Sequence, residues 1–413
     1  MMRLLATAAL LASTPSVFGQ NFTFLSGLLQ TLTSSGHTQL ASVATKLNST
    51  TAGQAVLTQL SSGSPFVLFA PTDNAFISVP SNVTSDVGAL TDVISYHIAS
   101  GNFTDISTTY PNVTLGNTLL NNPQVVQLEA LGQPQALAWA TREDGKVHVL
   151  NQLNDATVSN TTSFGNVTIH TIDRVLGFPG SLAQAVELDN TALALVAPLL
   201  HNISLSVPNA GGSTPLFDIL NGGLHGFTFF APNDAAITQT LAGRLVNLVT
   251  NQTAALAVFQ NHLINGSTVY SPLLSNANRT SAAGETLRFV LNATGHYVSC
   301  GAVTARIVQP DVLLANGVVH VIDGVLLDTA SDPEAASAAA ASASASAASH
   351  TATAPGPIGF SATATGAGTT ATGTGTGTRQ SNAARKSKGG HGAKHVFKMA
   401  VALAGALVGM VVI

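Results

Sequence analysis

Leu40, Val43, Ala44 and Leu47 recur at i, i+3, i+4 and i+7, the spacing of an amphipathic helix. Further on the pattern changes to an unbroken apolar run, FVLFAP, at Phe66–Pro71. Its β-branched and aromatic residues, closed by a proline, predict a buried strand. After Pro71, Thr72 stands where a helix cap would, and Asp73 would place a carboxylate in the first turn. Short strand-like segments follow as VVQLEAL, ALAWAT and KVHVL, and TIHTID closes the series. Helices gathered early and strands late predict an α+β fold rather than alternating α/β.

The pattern then repeats. FTFFAP returns at Phe227–Pro232, with Asn233 at the cap position and Asp234 after it. His97 in ISYHIASG is matched by His262 in FQNHLINGS, and His170 in TIHTID by His320 in VVHVID. TLRFVL, YVSCGAV and ARIVQP supply the later strands of the second copy. Pro71/Pro232, His97/His262 and His170/His320 keep their order, so the chain carries two tandem domains of roughly 150 residues each.

The ends read differently. MMRLLATAALLASTPSVFGQ has Arg3 as its positive flank, an apolar stretch Leu4–Leu11 and a small-residue cleavage pattern at Val17–Gly19. These are the parts of a secretory signal peptide. Beyond Leu327 the chain is mostly Ala, Ser, Thr and Gly, a composition that predicts a disordered, O-glycosylated stalk. Met399–Ile413 is apolar to the last residue and follows a polar spacer and the small residues Asn382–Ala384. That order matches a glycosylphosphatidylinositol (GPI) attachment signal, with a short tail-anchoring helix as the alternative. Asn382 is the expected attachment residue, with Ser381 and Ser387 as alternatives. The expected layout is signal 1–19, first domain 20–178, second domain 179–328, stalk 329–382 and removed propeptide 383–413.

Charged residues make up 8% of the chain, so another group must keep its surface wet. Asn-x-Ser/Thr sequons at Asn21, Asn48, Asn82, Asn102, Asn112, Asn160, Asn166, Asn202, Asn251, Asn265, Asn278 and Asn292 point to a heavily glycosylated ectodomain. Six of the fifteen basic residues fall in the two end segments, which leaves nine against nineteen acidic ones. Nucleic-acid binding is therefore not expected. Cys300 is the only cysteine, so no intrachain disulfide forms; its context YVSCGAV predicts a buried small hydrophobe.

Taken together, FVLFAPTDNAF and FTFFAPNDAAI, the middle histidines and the closing NGVVHVIDGVL resemble the fasciclin I family over nearly all of residues 21–328. The resemblance implies a wedge of β-sheet packed with a helical cluster, and a role in adhesion or surface–matrix contact. With signal, stalk and anchor, the layout looks like the fungal members of that family. It also implies that a middle Tyr-His pair and a nearby aspartate serve integrin binding in some animal members. Tyr96-His97 matches that pair; Asn261 replaces the tyrosine before His262. Asp311 stands nine residues before His320, where the first repeat has Thr161 before His170.

The recurring His97, His170, His262 and His320 are the candidates for chemistry, and no Gly-x-Ser-x-Gly, His-Glu-x-x-His or phosphate loop accompanies them. Asp173 and Asp323 follow His170 and His320 by three residues, which on a strand puts the pairs on opposite faces. Structural histidines bonded to backbone are the expectation. No cofactor or metal is expected; His391 and His395 have helical metal spacing but lie in the segment expected to be removed. The sequence thus reads as a non-enzymatic surface glycoprotein that contacts wall or matrix polysaccharide, other surface proteins or further copies of itself. The alternative is a carbohydrate- or ester-active enzyme, which requires a pocket joining His97 or His262 to a second titratable group.

Overall fold

The computed structural model describes residues 17–104, 106, 108–188, 191–206, 213–243, 251–275, 277–349 and 355–359. Most of the expected signal, the end of the stalk and the whole anchor region, Asn382 included, lie outside them. The chain divides into two compact units. One gathers the described residues up to Ser107 with Gly116–Leu120 and Gln135–Phe178; the other gathers Thr108–Leu115, Asn121–Pro134 and the described residues from Pro179 onward.

The first unit begins with α1 (Val17–Ser34), α2 (Thr38–Leu47) and α3 (Thr51–Leu60). The periodic Leu40, Val43, Ala44 and Leu47 all lie on the buried side of α2. Thr50 starts α3 by accepting a hydrogen bond from the Gly53 N–H at 3.1 Å. Next come β1 (Phe66–Pro71), a 3₁₀ turn over Asp73–Ser78, α4 (Ser81–Ser85) and α5 (Val87–Tyr96). The remaining strands are β2 (Ile98–Ser100), β3 (Thr114–Asn117, of which Gly116 and Asn117 belong to this unit), β4 (Ala136–Thr141), β5 (Val147–Val149), β6 (Ala156–Phe164) and β7 (Val167–Ile172). They form one sheet in the order β2-β1-β7-β6-β5-β4-β3, in which β1 runs parallel to β7 and antiparallel to β2.

That placement explains why FVLFAP shows no polar alternation. β1 is flanked by a strand on either edge and covered on both faces. Phe66, Leu68 and Ala70 join a core with Leu40, Leu47, Leu90 and Ile94 from the helices. Phe69 faces the other way, its ring 5.3 Å from that of Trp139.

The second unit repeats the plan. Short helices α6 (Leu182–Val186) and α7 (Val196–His201), a ribbon of β8 (Ser204–Ser206) and β9 (Ser213–Pro215), and α8 (Leu216–Asp218) precede β10 (Phe227–Pro232). Then follow α9 (Asp234–Gly243), α10 (Gln252–Asn261), β11 (Leu263–Asn265), α11 (Ser271–Leu274), β12 (Arg279–Thr280), β13 (Thr286–Asn292), β14 (Gly295–Cys300), β15 (Val303–Leu314) and β16 (Gly317–Ile322). The sheet order β11-β10-β16-β15-β14-β13-β12 copies the first, again with its first long strand parallel to its last. Phe227, Phe229 and Ala231 pack on the helices, and Phe230 packs with Leu287, Val298 and Ile322 on the opposite face. Cys300 is a buried free thiol within that second cluster, as its context predicts. Burial pushes its pKa up to about 12, with Asp328 adding to the shift, so it behaves as an apolar residue.

Two segments depart from expectation. VVQLEAL is not a strand: the Val125 and Val126 N–H groups turn back onto the Asn122 carbonyl. Val126, Leu128 and Ala130 are buried in alternation, so period two reported burial without ladder pairing. The first part of the expected disordered stalk instead forms α12 (Pro333–Ala348). Asp332 caps it through the Ala335 N–H at 3.0 Å, Pro333 and Glu334 occupy its first turn, and an alanine-rich run sustains it. Low hydrophobicity hid a strong local helix propensity.

Candidate functional site

The recurring residues lie around the N-terminal end of α2 or α7, the C-terminal end of α5 or α10, and the two parallel central strands of each repeat. His97 and His262 directly follow α5 and α10, with 0% and 3% exposure. In each, Nδ1 is 2.7 Å from the carbonyl four residues back, Val93 O or Val258 O. Nε2 accepts at 2.9 Å from the N–H of Leu176 or Leu326 in the exit segment. A carbonyl on one side and an N–H on the other fix a neutral imidazole with its proton on Nδ1. Burial pulls both pKa values down to about 4, against the upward pull of the carbonyl contact. These imidazoles pin the helix end to the exit of the repeat, and neither nitrogen is left for catalysis.

His320 is also fully buried, with the opposite tautomer. Its Nε2–H donates to Val269 O at 2.9 Å, while Nδ1 accepts the Asp311 N–H at 3.2 Å. Its ring stacks on Phe230 at 5.5 Å, and the His170 ring lies 5.4 Å from that of Phe69 at a tilt of 39°. Each aromatic–histidine pair is a direct register pair across the parallel strands. His170 Nδ1 lies 2.8 Å from Thr161 Oγ1, its partner in the β6–β7 register. Thus the nine-residue spacing that relates Thr161 to His170, and Asp311 to His320, is a hairpin crossing. Asp311 has φ 56° and its carboxylate accepts the Ser271 N–H at 2.8 Å. Burial raises its pKa, with His320 and Ser271 pulling the other way.

Asp173 and Asp323 do not meet these histidines. Asp173 Oδ1 accepts from Thr157 N at 2.9 Å and Asp323 Oδ1 from Arg306 N at 2.7 Å, each tying the end of the closing strand to its hairpin partner. The aspartates after the Ala-Pro stops require a correction. Asp73 and Asp234 do occupy the first turn of the following segment, yet their carboxylates reach back to an earlier helix. Asp73 takes Thr38 Oγ1 at 2.6 Å and Gln39 N at 2.8 Å at the start of α2. Asp234 takes Leu195 N at 2.8 Å and Ala194 N at 3.3 Å at the start of α7. Burial raises the Asp73 pKa, but the hydrogen bonds from Thr38 and Gln39 outweigh it and the net shift is downward. Asn233 caps α9 through Ala236 N at 2.8 Å, whereas Thr72 makes no side-chain cap. Asp234→Ala is expected to cost about 1 kcal/mol, the usual loss of such a cap. Chemical denaturation would show it as a lower midpoint at unchanged slope.

Tyr96 is 0% exposed, its ring edge-on to Phe178 at 5.8 Å; Asp311 is 1% exposed. The residues matched to the integrin motif are therefore core residues here. Asn261, which replaces the tyrosine, bonds the Asp328 and Ala330 carbonyls at 3.1 and 3.0 Å and accepts from Ser281 Oγ at 2.7 Å.

Two pins escaped sequence reasoning. His37, 0% exposed, bridges Pro71 O at 3.0 Å and Thr171 Oγ1 at 3.1 Å. The cap contacts align it with Leu193 in the second repeat, so comparing the repeats could not reveal it. The other pin does recur. Asn316 donates through Nδ2 to Leu220 O at 2.9 Å and Leu224 O at 3.0 Å. Asn166, its counterpart in the first repeat, donates to Leu60 O at 2.9 Å and to Ser64 O. Both sit just before the closing strand, where the sequon at Asn166 drew attention to glycosylation instead.

A cavity of about 290 Å³ opens in the second unit between α7, α9, α10 and β10, with His262 among its lining residues. No second titratable residue lines it among the described residues. Nor, among those residues, does any group of three or more His, Cys, Asp or Glu side chains offer a metal site.

Fold and site together define a tandem α+β repeat protein in which the recurring polar residues serve the architecture. The chain belongs to the fasciclin family: residues 41–179 and 208–328 each match the Fasciclin domain. A fasciclin-like arabinogalactan protein of Arthroderma benhamiae is 26% identical over 59% of this chain and 52% of its own length. Fasciclin-1 of Schistocerca americana is 22% identical over 67% of this chain and 41% of its own. The chain thus spans about half the length of these relatives. A solved FAS1 domain pair from the insect cell adhesion molecule Fasciclin I is 20% identical, with a TM-score of 0.32 over 67% of this chain and 93% of its own.

Proposed function

We propose that this chain is a surface glycoprotein whose paired fasciclin domains make adhesive contacts with wall or matrix polysaccharide or with other surface proteins, held by a GPI anchor at Asn382. The observation that supports it most is the use made of the recurring polar residues. His97, His262, His320, Asp73, Asp234, Asp173 and Asp323 all hydrogen-bond within their own domains. What the repeat preserves is therefore a scaffold, and contacts fall to its surface and glycans, where many weak sites on one membrane gain strength together. The enzyme alternative receives no support, because the cavity beside His262 offers no second acid or base among the described residues.

Beads coated with the chain should bind intact cells or isolated wall polysaccharides; no binding with or without glycans would sink the adhesive reading. Phosphatidylinositol-specific phospholipase should release the protein from cells. Retention with an unmodified C-terminus, read by mass spectrometry, would remove the anchor.

Glycan placement gives a sharper test. Asn102 and Asn292 use Oδ1 to accept from Thr104 and Thr294, and both residues are exposed, so Nδ2 is presented to solvent. At Asn166 a sugar on Nδ2 would remove one of the donors that hold Leu60 and Ser64. Glycopeptide mapping is expected to find Asn102 and Asn292 occupied and Asn166 bare.

A further inference from the structure

The cavity in the second unit is walled by Val196, Leu200, Ile203, Phe229, Ile237 and Phe259, all buried from bulk water yet leaving about 290 Å³ unfilled. Among the described residues its polar lining consists of Asn202, Gln252 and His262. The imidazole already spends both nitrogens on Val258 O and Leu326 N. Asn202 and Gln252 are exposed amides at the mouth and carry no charge; Asn202 Nδ2 already donates to Pro198 O at 2.8 Å, so that side chain offers a ligand its Oδ1 as an acceptor. No Lys, Arg, Asp or Glu lines the cavity among the described residues. The space is about twice that of the dry apolar cavity of roughly 150 Å³ that accepts benzene.

The two repeats place their bulk differently here. Counting from the paired histidines, Ala255 of α10 stands where the first repeat has Leu90, and Phe259 where it has Ile94. Counting from the paired prolines, Ile237 stands where the first repeat has Phe76. Leu90 is 2% exposed and packs with Leu40, Leu47 and Ile94, so the fold accommodates a leucine at that position of the helix.

We propose that this cavity is a binding site for an uncharged aliphatic molecule of about ten carbons, its chain inside and a hydroxyl or ester head at the Asn202 and Gln252 amides. The fit is one of chemistry: apolar walls for the chain, neutral donors and acceptors for the head, and, among the described residues, no cation to hold a carboxylate.

The test uses the full-length chain and the uncharged dye N-phenylnaphthylamine, whose fluorescence rises in apolar sites, with decanol and decanoate as competitors. Saturable dye binding is expected, displaced by decanol at lower concentration than by decanoate. Ala255→Leu, which installs the residue of the first repeat, should weaken dye and decanol binding by about tenfold or more through overfilling. Ile237→Phe should do the same, and decides the matter if the first variant does not fold by circular dichroism. Absence of saturable binding overturns the proposal, as does undiminished binding by the folded variants. Failure of decanol to displace the dye, or tighter binding of decanoate, overturns the ligand class.

Discussion

Replacing His262 with alanine is expected to destabilise the second domain by about 3 kcal/mol, since it strands a buried donor and opens a void. The Leu326 N–H, bonded to Nε2 at 2.9 Å in a site with 3% exposure, would be left without an acceptor. The link from α10 to the exit segment would go with it. For a domain of this size the thermal midpoint should fall by about 10 °C. His97→Ala should do the same to the first domain, where Leu176 N is the stranded group. Calorimetry of the two variants should show each lowering its own domain's transition. A loss below about 1 kcal/mol would mean that the imidazole is a spectator and the backbone holds the exit unaided.

Acid should destabilise both domains before their carboxylates titrate. His97 and His262 have folded pKa values of about 4 against an ordinary 6.5, because burial penalises the imidazolium and Nε2 faces an N–H. Between those values the unfolded chain binds more protons than the folded one, so stability rises with pH. The contribution is fully present above pH 6.5 and is lost as pH falls toward 4, by an amount on the order of 3 kcal/mol per histidine. Asp311 works in the opposite sense, since burial raises its folded pKa and its protonated form is the better tolerated one. Denaturant titrations at pH 7 and pH 5 should show lower stability at pH 5, and His262→Ala should remove that imidazole's part of the second domain's share, leaving the part due to His320, whose pKa burial also lowers. Equal stability at both pH values would refute the assignment of neutral, buried rings.

The repeat itself is the most legible feature of the sequence, because an apolar run with a proline stop marks a strand buried on both faces. Helix periodicity placed α2, and the segments ALAWAT and TLRFVL fall on β4 and β13. What could not be read was which distant groups the polar landmarks would meet. Asp73 looked like a charge for its own helix, while its partners, Thr38 and Gln39, lie in an earlier one. Local propensity carries no information about such closures. Asn166 shows the same limit in reverse: a three-residue sequon has a local meaning, whereas its role at Leu60 and Ser64 appears only when Asn316 is seen doing likewise. The alanine-rich α12 is hidden for another reason: composition reports what a segment can bury and carries nothing about its cap.

The parallel pairing of β1 with β7 bears on how the protein is made. Phe66 pairs with Val167, so the strand that leaves the ribosome early has no neighbour on that side until its repeat is almost finished. Until then its apolar faces are a liability for a nascent chain. The same wait is imposed afresh on Thr228, whose partner is Val318. Synthesis therefore presents two separate windows of aggregation risk, each closing only when the last strand of a repeat emerges, and a chain cut just short of either strand should be a client for chaperones rather than a smaller folded domain.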